Sequence, residues 1–402
     1  MDIRNLLYQN RVCWQPNHHG TIAMKKSPER IPVAEPWITD REIEMCTLAA
    51  RCGWGIDHYR FNEQFEKMFA EFVGVRYAVS LPHATSALHL ICAAIALRPG
   101  DEVIAPNVTW IASVAPIVYT GATPILVDID PDTWCIDPAA VETAITSRTK
   151  AILGVNLYGS MCNWTKLRKI AERFGLFLIE DAAESLGSTF CSRQAGSHGD
   201  AAAFSFHGSK TVTTGEGGML VTDNQDLFDR VLFLRDHGRK PNDRAFQNTE
   251  IAFKYKMSAV QAGIGVAQME RIDELIDYKR NIFNWYHERL QNHSGLALNA
   301  EPLDVFNSYW MVTVVFDQKF GKDKYDFQEQ FLLRNIDTRP FFSPLSKLQA
   351  FANRTESISL VCGHETKCIA AFNGINLPSG YNMTKNKVDL VCDVLEEITE
   401  LG

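Results

Sequence analysis

The sequence predicts an α/β fold in which a mostly parallel sheet carries helices on both faces and a smaller α+β domain follows it. Short apolar runs alternate with helical periodicity through the middle of the 402-residue chain, which is typical of βαβ units. The chain is also long enough for two domains. We expect an N-terminal extension at 1–30, a large domain at 31–280 and a small domain at 281–402.

The expected elements follow from the apolar pattern. Helical periodicity begins at Thr39 and returns at 65–72. Predicted strands and the helices between them then alternate along the chain: strands at 102–106, 124–128, 151–155, 176–180, 201–206 and 218–222, and helices at 86–97, 110–120, 138–146 and 164–174. One long helix is expected from Ser258 to about Leu290. The segments 308–317 and 358–377 supply elements of the small domain.

Composition excludes several classes of function. The net charge is −8, and its 40 basic residues form no block, so we expect no nucleic-acid partner. No stretch reaches the roughly 20 apolar residues that span a bilayer, and no secretory signal is visible at the N-terminus. The ten cysteines form no CxxC pair, which argues against a metal site and favours reduced thiols. We therefore expect a cytoplasmic protein without a metal.

A lysine lies between a strand and a glycine-rich turn in the segment 204–218, FSFHGSKTVTTGEGG. A lone lysine is usually a solvated surface group. The apolar run before Lys210 and the glycines after it favour a buried lysine instead. Burial lowers the pKa of an amine, and this is what a Schiff-base lysine requires.

A carboxylate follows another predicted strand in FLIEDAAE, at Asp181. Because parallel strands end at the same edge of a sheet, Asp181 and Lys210 are expected to converge there. Asp181 also suits a helix N-cap, and this alternative stays open. Paired with the lysine, it suits the partner of a pyridinium nitrogen, because an ionised carboxylate keeps that nitrogen protonated.

Two further segments fit the same site. HATSALHL, at 83–90, opens a predicted helix whose free N–H groups and hydroxyl side chains suit a phosphate, although simple N-capping fits equally well. Thr85 and Ser86 are the hydroxyl donors in this segment. Trp110 offers a flat face that suits a pyridine ring, although a tryptophan is more often a core residue.

Together these segments resemble the DegT-type sugar aminotransferases, a branch of the fold-type-I pyridoxal-phosphate enzymes. The resemblance leaves out only the first 30 residues, and its most specific motif is the TTGEGG that follows the lysine. It includes segments throughout the chain: PGDEVIAPNVTWIAS, NLYGS, EDAAESLGS, YKMSAVQAGIGVAQMERIDELI and RPFFSPL. It implies a sheet of the seven-stranded type.

The resemblance also implies roles for individual residues. Lys210 would form the Schiff base with pyridoxal 5′-phosphate and shuttle the proton, Asp181 would pair with the ring nitrogen and Glu184 would bond the ring hydroxyl. The remaining cofactor contacts would come from Ala84, Thr85 and Ser205 at the phosphate, with Trp110 stacked on the ring.

In this family the active site is shared by two subunits, so a homodimer is expected. The neighbour's phosphate contact, usually an asparagine, falls on Lys254. The family's usual Ser-Gly-Thr reads His83-Ala84-Thr85 here, and its usual histidine before LYG is Asn156. Charged residues of the segment 239–256, among them Arg239, Lys240 and Arg244, suit a diphosphate, although solvated charges are the simpler reading.

The implied activity moves an amino group from an amino acid, with glutamate as the expected donor, to a keto-sugar. EDAAE and TTGEGGM are nearest to perosamine-synthase-like members, which aminate C4 of a 4-keto-6-deoxy nucleotide sugar. TWIAS and DIDPDTWCIDP are also similar to members that aminate keto-cyclitols such as inosose. A pyridoxal-binding regulatory protein without turnover is the alternative of another class, and the presence of Lys210, Asp181 and Glu184 argues against it.

Overall fold

The computed structural model describes residues 27–240, 243, 245–352, 359–360 and 370–400. Almost all of the expected N-terminal extension therefore lies outside the described residues, as do Arg244 and most of 353–369. In chain order, the strands are β1 Tyr77–Leu81, β2 Glu102–Pro106, β3 Thr123–Val127, β4 Thr149–Val155, β5 Phe177–Asp181, β6 Thr189–Phe190, β7 Arg193–Gln194, β8 Ala201–Ser205, β9 Gly218–Thr222, β10 Leu296–Leu298, β11 Val305–Phe306, β12 Thr313–Phe316, β13 Arg339–Pro340, β14 Ser359–Leu360 and β15 Gly374–Asn376.

Local sequence signals explain where the first helix begins and where the second helix ends. Thr39 caps the first of them through a reciprocal bond with Glu42, and Gly74 ends the second in a left-handed conformation at φ 78°. In chain order, they are α1 Asp40–Cys52, α2 Arg60–Val73, α3 Ala84–Ala94, α4 Ile111–Tyr119, α5 Pro138–Ala144, α6 Trp164–Phe174, α7 Gln225–Leu234, α8 Ala259–Met269, α9 Ile272–Leu290, α10 Lys324–Leu332, α11 Gln349–Ala352, α12 Ala370–Asn373 and α13 Lys385–Glu400.

The central sheet has the order β1-β9-β8-β5-β4-β2-β3-β14. Strand β9 runs antiparallel to both of its neighbours, and the other pairs are parallel. Two apolar clusters of buried residues pack on it, with alternate residues of a strand in different clusters, as at Val103 and Ile104. The predicted α/β fold with a mostly parallel sheet is confirmed. Seven strands are accompanied by an eighth of only two residues, β14.

A second sheet has the order β10-β12-β15-β13, and its strands pair antiparallel. Helices α9, α10 and α13 contribute apolar side chains to the cluster beside it, among them Ile282, Phe327 and Leu395. This is the smaller α+β unit that the sequence predicts. The predicted boundary at residue 280 falls inside α9 and stays a prediction.

Two expectations about single elements are wrong. The long helix predicted from Ser258 to Leu290 is two helices, because the chain leaves helical geometry at Arg271, with φ −129° and ψ 25°. The guanidinium of Arg271 lies 4.2 Å from the ring centroid of Trp37 there and ion-pairs with Glu42. The second concerns only the first part of 358–377, because β14 pairs in parallel with β3 of the large sheet. Strand β15, at the end of this segment, joins the small sheet as expected.

Candidate active site

A cavity of about 540 Å³ opens at the carboxyl edge of the central sheet. The strand register explains why side chains from distant parts of the sequence meet there. Gly218, the first residue of the antiparallel β9, lies opposite both Leu81 and Ser205, which end β1 and β8. On the next strand, Asp181 ends β5 and pairs with Val155, the end of β4. The predicted convergence of strand ends is therefore present.

Lys210 reaches this cavity from the turn after β8. Its Nζ lies 3.4 Å from Oε1 of Glu184 and 3.4 Å from the ring centroid of Trp310. Burial lowers the pKa of the Lys210 amine, and the charges of Glu184 and Asp181 oppose that effect. The expected buried lysine with a lowered pKa is what the structure has.

Asp181 lies on the cavity wall and is nearly inaccessible to solvent. It accepts hydrogen bonds from the Ala183 N–H at 3.0 Å and from the Ser113 hydroxyl. Burial raises the pKa of the Asp181 carboxyl, whereas these hydrogen bonds and the charge of Lys210 lower it. No helix begins at Asp181, so the alternative of a helix N-cap is excluded.

The NLYGS motif holds Glu184. Tyr158 adopts a left-handed conformation, φ 51° and ψ 30°, and its N–H donates to Oε2 of Glu184 at 3.0 Å. Burial raises the pKa of Glu184, and Lys210 opposes that effect. Asn156 does not line the cavity. It is fully buried and donates to Glu180, the structural carboxylate beside Asp181.

The start of α3 forms one end of the cavity. Ser86 caps the start of this helix, because its hydroxyl accepts from the His83 N–H and donates to the His83 carbonyl. Ala84 and Thr85 line the cavity where the first N–H groups of the helix have no partner within the helix. A Cβ at Gly218 would lie 2.5 Å from the Ala84 nitrogen, so only glycine fits at this position.

Ser205 and Trp110 complete the predicted set in the cavity. The indole of Trp110 is 56% exposed, so it is not a core residue. Its ring leans on Phe342 with centroids 5.7 Å apart. An exposed aromatic face at the cavity wall is what a stacking partner requires.

Lys254 lies outside this cavity. Its Nζ is 3.1 Å from Asp236, which also binds Lys256 and Arg239 at 2.8 Å each. The three cations hold the pKa of Asp236 well below its usual range. Within one subunit, then, Lys254 does not contact the site, and its expected role at a neighbour's site stays a prediction.

Trp310 and Arg339 are among the cavity residues that could not be singled out from the sequence. Both come from the smaller unit, more than 90 residues after Lys210. Arg339 is half-buried, and among the described residues its guanidinium forms no ion pair, although it interacts electrostatically with Glu184 and Tyr158. The motif RPFFSPL marked the segment, but nothing in it indicated which residue faces the cavity.

The residues present fit pyridoxal phosphate. An amine of lowered pKa suits its aldehyde, a buried carboxylate suits its ring nitrogen, and an open helix N-terminus flanked by hydroxyls suits its phosphate. The cavity and these donors all belong to one chain. Fold and cavity together define a fold-type-I pyridoxal-phosphate aminotransferase.

Comparison with known proteins agrees with this class. The model of the DegT/DnrJ/EryC1/StrS aminotransferase family matches residues 36–396. The GDP-perosamine synthase of Caulobacter vibrioides is 36% identical over 373 residues, which cover 92% of this chain and 98% of that protein. The GDP-perosamine synthase of Escherichia coli O157:H7 is 36% identical over 367 residues, 91% of this chain and 98% of that protein.

Solved structures of sugar aminotransferases superpose on most of this chain. DesI, crystallised in the presence of its TDP-sugar product, superposes with a TM-score of 0.83 at 31% identity and covers 93% of this chain and 94% of its own. A putative sugar aminotransferase from Streptococcus pneumoniae, solved in PLP and PMP forms, has a TM-score of 0.83 at 26% identity and covers 92% and 99%. The chain belongs to the DegT/DnrJ/EryC1/StrS aminotransferase family. It is a pyridoxal-phosphate-dependent sugar aminotransferase.

In the part of the chain that the structure describes, no helix combines the length and the apolar character needed to cross a membrane.

Proposed function

We propose that this enzyme moves the amino group of glutamate to the C4 ketone of a 4-keto-6-deoxy nucleotide sugar. The observation that carries the proposal is the Lys210 amine, placed in one cavity with two buried carboxylates, Asp181 and Glu184. We choose this acceptor because the GDP-perosamine synthases match nearly the whole chain.

Each of the three groups has a defined task in this proposal. Bound pyridoxal phosphate supplies an electron sink that makes the Cα–H of an amino acid acidic. Lys210 would take that proton from Cα and deliver it to C4′ of the cofactor, and the burial that lowers the pKa of its amine favours the neutral, proton-accepting form. Asp181 stays ionised beside the ring nitrogen and keeps it protonated. Glu184 orients the ring hydroxyl.

Arg339 supports an amino-acid donor. Its guanidinium is the cation of the cavity wall that forms no ion pair among the described residues. Guanidinium groups bind carboxylates through two parallel hydrogen bonds. We assign Arg339 to a carboxylate of glutamate, which would place the amino group of the donor on the same wall as Lys210.

Aromatic side chains support a sugar acceptor. Trp110, Phe342 and Tyr158 form a connected wall, with centroids 5.7 Å and 5.3 Å apart for successive pairs. With Trp110 stacked on the cofactor ring, the flat faces of Phe342 and Tyr158 would pack against the C–H face of a hexose. The nucleotide would lie outside the cavity, beside the 56% exposed Trp110. The acceptor would enter past Trp110.

Two observations support a homodimer with shared sites. Ile43, Trp54 and Ile56, in and after α1, are 57%, 68% and 98% exposed, an apolar surface that a second copy would cover. Lys254 lies at the surface, held by Asp236, and is available to a neighbour's phosphate site. The proposed dimer therefore completes the cofactor site in each subunit.

The test uses the purified protein loaded with pyridoxal phosphate. Glutamate and glutamine are compared in the half-reaction, and the product form is then offered 4-keto-6-deoxy sugars linked to GDP, UDP or dTDP, with inosose as the competing ketone. Conversion by glutamate followed by amination of one nucleotide sugar supports the proposal. Amination of inosose alone would replace it by cyclitol amination, and failure of both half-reactions would indicate a protein without turnover.

A further inference from the structure

The amine of Lys210 lies on the face of an indole. Its Nζ is 3.4 Å from the ring centroid of Trp310, closer than any other cation–aromatic contact among the described residues. Glu184 approaches the same nitrogen at 3.4 Å. The amine thus lies between a carboxylate and an aromatic face, and both favour an ammonium over a neutral amine.

The indole is fixed relative to the lysine by the main chain. The Trp310 Nε1–H donates to the carbonyl of Ser209 at 2.7 Å, and Ser209 immediately precedes Lys210. Tyr158 stacks near the indole with centroids 6.1 Å apart and planes at 24°. Trp310 is also buried, at 4% exposure, so these two contacts hold it inside the protein.

Ordinary core packing does not require this geometry. Trp134 is also 4% exposed and contacts the same aromatic cluster through Tyr158 and Phe341, but it forms no cation–aromatic contact with the residues that the structure describes. The two tryptophans therefore separate the effect of a buried indole from the effect of an indole face on the amine.

We propose that Trp310 is a positioning residue that, with Glu184, holds the ε-ammonium of Lys210 whenever the lysine is not joined to the cofactor. This inference rests on the proposed function, in which the donor amino acid releases the lysine once in each cycle. The released amine becomes an ammonium when it accepts the Cα proton of the donor, and the indole face would hold that ammonium within reach of the carbon to which the proton is delivered. Trp310 would then set how readily the amine regains its neutral, proton-accepting form.

The test measures Lys210 in the cofactor-free protein, so it needs no turnover. Competitive labelling with acetic anhydride is measured across pH by mass spectrometry of the Lys210 peptide. The labelling rate of Lys210 rises with pH to a plateau, and the midpoint of that rise gives the pKa of the amine. Access to the reagent changes the plateau, whereas stabilisation of the ammonium changes the midpoint. In Trp310→Leu the indole face is lost, so the midpoint moves to lower pH and labelling at a fixed pH below it becomes about five-fold faster.

Trp310→Phe keeps an aromatic face and is expected to move the midpoint in the same direction by less, which keeps the test decisive if the leucine variant does not fold. Trp134→Phe is the matched control and leaves the midpoint where it is. An unchanged midpoint in both Trp310 variants, or an equal displacement in Trp134→Phe, overturns the inference. Failure of the glutamate half-reaction would instead refute the proposed function without altering these midpoints.

Discussion

The Nζ of Lys210 lies 3.4 Å from Oε1 of Glu184, and the other oxygen of that carboxylate accepts the Tyr158 N–H at 3.0 Å. Glu184 is thus fixed by the main chain on one side and faces the reactive amine on the other. Its negative charge opposes the burial that lowers the pKa of Lys210. Through Glu184, the NLYGS turn therefore affects the pKa of the Lys210 amine.

Replacing Glu184 by glutamine tests that link. Glu184→Gln can retain the bond from Tyr158 through its amide oxygen but loses the charge, so the pKa of Lys210 falls further. Because the neutral amine is the active form, the acidic limb of the rate–pH profile moves to lower pH, and the maximal rate falls about 10²-fold as the ring hydroxyl loses its partner. An acidic limb at its original pH would show that Glu184 does not act on Lys210.

Asp181→Asn removes the charge beside the proposed ring nitrogen. The amide oxygen still accepts from Ala183, so the fold is expected to persist. We predict a fall in turnover of about 10²- to 10³-fold, with the glutamate half-reaction slowed to the same degree. Stopped-flow absorbance of the bound cofactor measures this directly.

The neighbouring Glu180 provides the matched control. Its carboxylate is fully buried and accepts from the N–H groups of Gly196, His198 and Gly199 and from the Asn156 side chain. Glu180→Gln turns one acceptor into a donor against these N–H groups, which costs about 3 kcal/mol of the free energy of unfolding. Turnover well below the melting temperature should stay near that of the unaltered enzyme. Equal loss of turnover in both variants would contradict a special role for Asp181.

Lys279 predicts a pH dependence of stability. Burial, aided by the charges of Arg339 and Lys210, lowers its pKa to about 7, and its Nζ donates to the Ser379 carbonyl. Between this pKa and the ordinary lysine value the unfolded chain binds more protons than the folded one, so this group makes stability rise with pH. Lys279 contributes up to about 1.4 kcal/mol per pH unit to the slope of the free energy of unfolding against pH.

Urea unfolding of Lys279→Met at pH 7.5 and at pH 9.5 checks this. The variant is expected to lose the rise in the free energy of unfolding that Lys279 contributes between these two conditions, while surface Lys166→Met keeps it. Identical slopes for the unaltered protein and Lys279→Met would contradict a neutral buried amine.

A mixed dimer tests the role assigned to Lys254. Lys210→Ala and Lys254→Ala are each expected to lower activity when assembled alone. If Lys254 serves the neighbour, a dimer of one subunit of each kind contains one site with both lysines intact, so mixing restores up to half of the activity per mixed dimer. If Lys254 serves its own subunit, mixing restores nothing. If it serves neither site, Lys254→Ala alone keeps full activity. Either result contradicts the shared site.

Much of the site could be predicted from the sequence because its residues follow strands. Asp181 ends an apolar strand and Lys210 follows another after a short turn, and parallel strands end at a common edge. Trp310 and Arg339 could not be singled out in this way, because they belong to the smaller unit and reach the cavity only through the packing of its sheet against the larger one. No local pattern distinguishes them from neighbouring core residues.

The break between α8 and α9 had no signal for a similar reason. Neither glycine nor proline stands at 270–271, and the apolar periodicity continues across it. What ends the helix is a tertiary contact, the guanidinium of Arg271 on the ring of Trp37. Helix propensity and period describe one element at a time and do not contain such contacts.

The central claim is that Lys210 is the residue that joins the cofactor. Borohydride reduction of the pyridoxal-phosphate-loaded protein, followed by peptide mapping, measures this most directly. We expect one modified lysine per chain, in the peptide that contains Lys210, and no modification in Lys210→Ala. A cofactor fixed to Lys254, to Lys279 or to any other lysine, with Lys210 unmodified, would contradict it.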